Sequence, residues 1–158
     1  MSTGDPTTPA GPRTPLVQQG LPVFQEVAGH FAATPFLLTH DMLGGLDFEV
    51  AGGPISDKVG KPVAAPHTHE MPEVYLLLSP EPGGAVIDVV ADDVSYEVTS
   101  PGAMLIPAGT VHHFVTKRAE PGSFCLGLLL TGGRDRPGAQ VSGERTDDGA
   151  PVPDGRPR

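Results

Sequence analysis

Apolar and polar positions alternate with period two through the middle of the chain, and no long stretch carries the 3.6-residue period of an amphipathic helix. Leu46-Asp47-Phe48-Glu49-Val50 predicts a half-buried strand with Leu46, Phe48 and Val50 inward, ended by Gly52-Gly53-Pro54. Residues 73–79 are short and nearly all apolar, as in a strand buried on both faces. A turn at Pro80-Glu81-Pro82-Gly83-Gly84 leads into strands at residues 85–90 and 94–98, which form a hairpin around Ala91-Asp92-Asp93. Strands at 103–106 and 111–116 flank Pro107-Ala108-Gly109. After the turn at Pro121-Gly122, residues 123–131 read as the last strand, with Phe124 and Cys125 on opposite faces. Such spacing predicts an all-β sandwich or barrel. Residues 21–46 are apolar but interrupted by Gly29, Pro35 and Gly44-Gly45, and fit strand or short helix equally well. Residues 1–20 and 133–158 lack apolar periodicity. The expected organisation is a disordered leader (1–20), one domain (21–132) and a disordered tail (133–158).

Pro66-His67-Thr68-His69-Glu70-Met71-Pro72-Glu73 stands directly before the apolar run of residues 74–78. In an extended segment His67 and His69 share a face, and Glu73 keeps their parity. A second segment, Pro107-Ala108-Gly109-Thr110-Val111-His112-His113-Phe114, opens a strand with another histidine. His67, His69, Glu73 and His112 are therefore candidate metal ligands. Parity turns His113 away from His112, toward the surface or a supporting role. His30 and His40 lie outside both segments and read as ordinary residues, and Lys58 and Lys61 read as solvated loop charges near the mouth of the site. The same parity puts Tyr75, Leu77 and Phe114 on the ligand face. Phe48, Met104 and Cys125 are candidates to complete an apolar substrate wall.

The two segments resemble the two signature motifs of the cupin superfamily. His67, His69 and Glu73, flanked by Gly60 and Gly83, match the first; Gly102, Pro107, Ala108, Gly109 and His112 match the second, with Gly102-Ala103 where the family usually has Gly-Asp. The resemblance spans about residues 45–131. It implies a small single cupin of the three-histidine, one-glutamate type: a double-stranded β-helix, or jelly-roll barrel, covered by N-terminal strands through which such barrels often dimerise.

Composition narrows the function. With 19 acidic against 10 basic residues and a formal charge of -9, the chain has no basic cluster for nucleic acid. No apolar stretch approaches a membrane span. The single cysteine excludes an intrachain disulfide and a cysteine-built structural zinc site. The expectation is a cytoplasmic homodimer with a small-molecule substrate and no nucleic-acid or membrane partner. Three imidazoles and a carboxylate suit one divalent ion, Fe(II) first, with Zn, Mn, Ni or Co as alternatives, and leave one or two positions open. Similarity to three-histidine, one-glutamate cupin dioxygenases such as quercetinases and acireductone dioxygenases implies a mononuclear non-haem iron dioxygenase, with Glu73 able to detach and take a proton. The alternative is redox-neutral Lewis-acid chemistry (isomerase, decarboxylase, lyase or cyclase) with Glu73 or Tyr75 as acid or base. The motifs are also similar to those of cupins that work with a methionyl-tRNA-synthetase-like partner in N–N bond formation. A third reading is a small-ligand-binding module without turnover.

Overall fold

The computed structural model describes residues 14–131. The expected leader and tail fall largely on residues 1–13 and 132–158, outside the described residues; residues 14–20 are irregular and exposed. Nine strands follow in chain order: β1 (Val23–Gln25), β2 (Thr34–Leu38), β3 (Glu49–Pro54), β4 (Glu73–Leu78), β5 (Ala85–Ala91), β6 (Val94–Thr99), β7 (Gly102–Ile106), β8 (His112–Ala119) and β9 (Phe124–Leu129). They form a six-stranded sheet in the order β1-β2-β3-β9-β4-β7 and a three-stranded sheet in the order β6-β5-β8. This is the all-β, jelly-roll architecture expected, and every named pairing is antiparallel.

Local chemistry accounts for most of the elements. Along β4, Glu73, Tyr75 and Leu77 are buried while Val74 and Leu76 are only half-buried, so the strand is two-faced with a drier inner side. Asp92 and Asp93 both take positive φ (47° and 65°), forming the two-residue loop that joins β5 to β6 in the register Ala91↔Val94. On β9, Cys125 is buried and Phe124 exposed, on opposite faces as their parity requires.

The segment 21–46, which fitted strand or short helix, resolves into strands β1 and β2 and one 3-10 turn, Met42–Gly44. Two expectations need correction. The strand expected from Leu46 begins at Glu49 and runs through Gly52 and Gly53 to Pro54. Gly52 is needed there because a Cβ would meet the Cys125 carbonyl oxygen at 2.3 Å and because φ is 123°. His67 and His69 are not in a strand: their segment is irregular and is held by the bridge His67↔His112 and by the Gly109 amide on the His69 carbonyl. Pro66 and Pro72, which cannot donate to a ladder, bracket it.

The core lies between the sheets, where Leu77, Ile87, Val89 and Ile106 are essentially inaccessible and Tyr75, Phe114 and Cys125 pack against them. Among the described residues no helix is long and apolar enough to cross a membrane.

Candidate metal centre

Backbone pairing carries the two motifs to one point. The His67 and His112 peptides exchange two hydrogen bonds (3.1 and 2.9 Å), and the Gly109 amide donates to the His69 carbonyl at 2.8 Å. Gly109 turns with φ 79°, which glycine adopts at little steric cost. The Asp92 carboxylate accepts the Val111 amide at 3.0 Å and fixes the residue before His112. Glu73 opens β4, and its carboxylate lies beside β9.

Four side chains converge there: His67, His69, Glu73 and His112, whose ligand atoms all lie within 4.8 Å of one another. His112 Nε2 is 2.9 Å and His69 Nε2 is 3.3 Å from Glu73 Oε2. Bonds of about 2.0–2.2 Å to a first-row ion put neighbouring ligand atoms about 2.8–3.6 Å apart, so these separations already fit a shared ion. The tautomers fit as well. His67 Nδ1 pairs with the Ala65 carbonyl at 2.7 Å and His112 Nδ1 with the Thr110 carbonyl at 2.8 Å. Each ring thus spends its Nδ1 proton on the carbonyl two residues back and turns Nε2 inward, where that of His112 can donate to Glu73 and either, once deprotonated, can ligate an ion, as metal-ligating histidines do.

The charges agree with this arrangement. Burial alone would raise the Glu73 pKa, but hydrogen bonds from His112 and His69, with their charges, hold it down at about 2. Burial alone would lower that of His112; hydrogen bonds to Glu73 and the Thr110 carbonyl, with the charges of Glu73 and Asp92, raise it instead. His67 is pushed down, first by burial and then by the neighbouring imidazoles. A buried carboxylate kept ionised among basic nitrogens is the state a cation requires.

The cluster opens on a cavity of about 710 Å³, whose wall includes His67, His69, Glu73 and Tyr75, while His112 is sealed behind them at 1% exposure. Of the expected pocket residues, Phe114 and Cys125 line this cavity; Phe48, Leu77 and Met104 do not. Leu77 is inward but one pleat repeat beyond Tyr75, about 7 Å further along β4 and wholly within the core. Met104 packs against that core, and Phe48 precedes the start of β3.

Tyr75 sits edge-on to His112 and Phe114, with ring centroids 5.9 and 5.2 Å away. Burial, then the charges of Glu73 and Cys125, push its pKa far up, so it can donate a hydrogen bond but cannot act as a base at neutral pH. Cys125 is pushed up to about 12, chiefly by burial, and is an unreactive thiol. His113 stands outside the ligand cluster, yet it contributes to the cavity wall and is not simply a surface residue. Lys58 also reaches the wall, paired with Asp57 at 3.4 Å, whereas Lys61 is exposed and does not.

Two residues escaped the sequence reading. His30, taken as ordinary, lines the cavity with its ring 5.2 Å from that of His67. Gly127 lies under the Glu73 carboxylate, where a Cβ would come within 2.3 Å of Oε1. Neither belongs to a local motif. Only the N-terminal covering strands implied by the resemblance pointed toward the neighbourhood of His30.

No protein-family model matches the chain, and no curated protein does. Solved structures do. A cupin-like protein from Thermotoga maritima is similar at 13% identity and a TM-score of 0.48, over 70% of this chain and 78% of that one. An RmlC-like cupin from Shewanella frigidimarina is similar at 14% identity and 0.46, over 72% and 86%. KdgF from Halomonas sp. is similar at 18% identity and 0.44, over 68% and 85%. Likeness at this level carries no activity across. The two-sheet jelly roll, with three histidines and a glutamate delivered by both motifs to one point, resembles a cupin barrel and has a site that can hold a metal ion.

Proposed function

We propose that this chain is a metal-dependent enzyme acting on a small organic substrate, with dioxygenation at a mononuclear iron centre as the leading reaction. The observation that carries the proposal is that three of the four cluster residues, His67, His69 and Glu73, border a substrate-sized cavity instead of a closed structural site. His67, His69, Glu73 and His112 would hold the ion. Iron(II) bound there would supply Lewis acidity and one-electron reactivity toward dioxygen. The chain's own part is to orient and to exclude water. The Ala65 and Thr110 carbonyls aim two imidazoles, Phe114 and Cys125 dry the wall, and the protonated Tyr75 offers a hydroxyl to a substrate oxygen.

Redox-neutral Lewis-acid chemistry is the second reading, favoured by His30 and His113 on the same wall, which are proton-transfer groups that a purely oxygen-activating site does not need. Metal analysis of protein purified without added metal separates the two. Iron near one per chain, with the high-spin paramagnetic resonance signal of an iron–nitrosyl on adding nitric oxide, supports the first. Zinc without iron supports the second. A chain that takes up no divalent ion overturns both, and His69→Ala should lose metal and nitrosyl signal while remaining folded.

Homodimerisation is likewise proposed, supported by Phe24 on β1, the edge strand of the larger sheet, and Phe31 in the link from β1 to β2, which are 64% and 67% exposed. Light scattering tests it.

A further inference from the structure

Away from the histidine cluster the cavity wall is mostly apolar. Phe36, Leu37, Ile55, Val63, Phe114 and Leu129 are among its residues, and Phe36, Ile55 and Phe114 are themselves buried. Few polar side chains interrupt this surface, and two of their atoms, His30 Nδ1 and Thr34 Oγ1, are sealed off without a partner. A body rich in hydroxyl groups would give up its water for few hydrogen bonds, at a cost in free energy.

Charge is as sparse as polarity. Among the described residues, the acidic and lysine side chains on the wall are Asp57, Lys58 and Glu73, and no arginine joins them. Lys58 Nζ stands 3.4 Å from Asp57 in an exposed pair and is neutralised by it. Glu73 is committed to the cluster. Ligation takes imidazoles in their neutral form. Three of them and one carboxylate would leave a bound divalent ion with one net positive charge, at the place where His67, His69 and Glu73 border the cavity. One negative charge on a ligand balances that. A second would meet apolar wall or a cation already matched.

We propose that the cavity takes an apolar-bodied monoanion: a molecule with one carboxylate, enolate or phenolate head directed at the ligand cluster and an aromatic or aliphatic body against the wall. The head rests on the metal-dependent reading above, and the body rests on the wall alone.

Naphthalene probes test this, because the chain has no tryptophan and their own fluorescence can be read directly. Binding of naphthalene, 2-naphthoate and 2,6-naphthalenedicarboxylate is measured on the full chain, chelated and then reloaded with zinc, a redox-silent ion, with metal content recorded. On loaded protein 2-naphthoate should bind at least about tenfold more tightly than naphthalene, and chelation should abolish that advantage. The dicarboxylate should bind more weakly than 2-naphthoate, and Lys58→Ala should leave 2-naphthoate unchanged. Cyclohexanecarboxylate should displace the probe at concentrations where glucuronate, the same charge on a hydroxylated ring, does not. Zinc-loaded protein that binds naphthalene and 2-naphthoate equally would overturn the head and leave the enzyme proposal standing. Glucuronate competing as well as cyclohexanecarboxylate would overturn the apolar body. A dicarboxylate that binds more tightly than 2-naphthoate, and loses that advantage in Lys58→Ala, would overturn the single charge. A chain that takes up no zinc fails the enzyme proposal and the anionic head together, and its metal content tells that result apart from loaded protein that ignores the probe.

Discussion

Replacing Gly127 by alanine should disable the metal centre without unfolding the barrel. Gly127 lies opposite Tyr75 and Ala51 in the β4 and β3 ladders, and the Glu73 carboxylate crosses it. A Cβ at this position would sit 2.3 Å from Glu73 Oε1. Carbon and oxygen rest about 3.3 Å apart or more, so the carboxylate must retreat by about 1 Å. Metal–ligand distances tolerate about 0.2 Å. The strain cannot be shed cheaply, because Oε2 of the same group is held by His112 at 2.9 Å and His69 at 3.3 Å. The backbone gives no reason for collapse: the next neighbour outside Glu73 is the Ala51 carbonyl at 3.8 Å, and alanine loses less chain entropy on folding than glycine. Metal affinity should fall about tenfold to a hundredfold, the range seen when a ligand's support is lost. Competition with a chelating dye reads the affinity, and circular dichroism checks the fold. Gly53→Ala is the matched control, since its Cβ meets only Pro35 Cγ at 3.9 Å. Shortening the carboxylate in Gly127→Ala/Glu73→Asp should recover part of the affinity. Wild-type affinity in Gly127→Ala would refute the claim that this glycine makes room for the ligand.

Leu77→Ala should cost about 2–5 kcal/mol in denaturant unfolding and leave metal stoichiometry intact, because Leu77 is core and not cavity wall. His113→Ala should keep its metal, since it lies outside the four-residue cluster; stoichiometric loss would show that the wrong histidine of the pair was chosen. In chelated protein the stabilising effect of Glu73 is present above its ordinary value of 4.5 and is lost as pH falls toward 2, while that of His112 is complete below 6.5 and lost as pH rises through its raised value. The melting-temperature difference between wild type and Glu73→Gln should therefore be greatest between about pH 4.5 and 6.5; a difference that does not vary with pH would refute the pairing. Subtracting the variant also removes most of the opposing effect of His67, whose lowered value weakens the fold as acid is added.

The four-residue cluster was legible in the sequence because its information is local. Parity within β4 put Glu73, Tyr75 and Leu77 on one face, and parity within β8 separated His112 from His113. Parity says which face a residue takes, however, and not how far along the strand the cavity gives way to packed core. For that reason parity puts both on one face, yet Tyr75 borders the cavity and Leu77, two residues later, lies in the core. The start of β3 failed for a different reason. Its alternation from Leu46 is real, but pairing with β2 shifts register between Phe36 and Leu38 and begins later, leaving Phe48 outside the strand. The extended form of the His67–His69 segment was likewise inferred from spacing, whereas its position comes from exchange with His112, 45 residues away by the numbering of the two partners.

His30 was illegible on the same grounds, and it shows what a single chain hides. Nothing around it in sequence marks chemistry. Its position comes from long-range backbone bonds: Ala65 donates to the Gly29 carbonyl at 2.8 Å, Phe31 donates to Val63 at 3.3 Å, and His30 itself bridges Ala64. Those partners immediately precede Pro66 and His67, so the strip that leads into the first motif is also the strip that carries His30 to the cavity. The candidate ligand cluster and the N-terminal cover are therefore mechanically one unit. A change in residues 62–65 should disturb both, whereas a change in β5, whose Ala91 pairs with His112, should reach the cluster alone, as should loss of the Asp92 carboxylate that steadies the approach to His112.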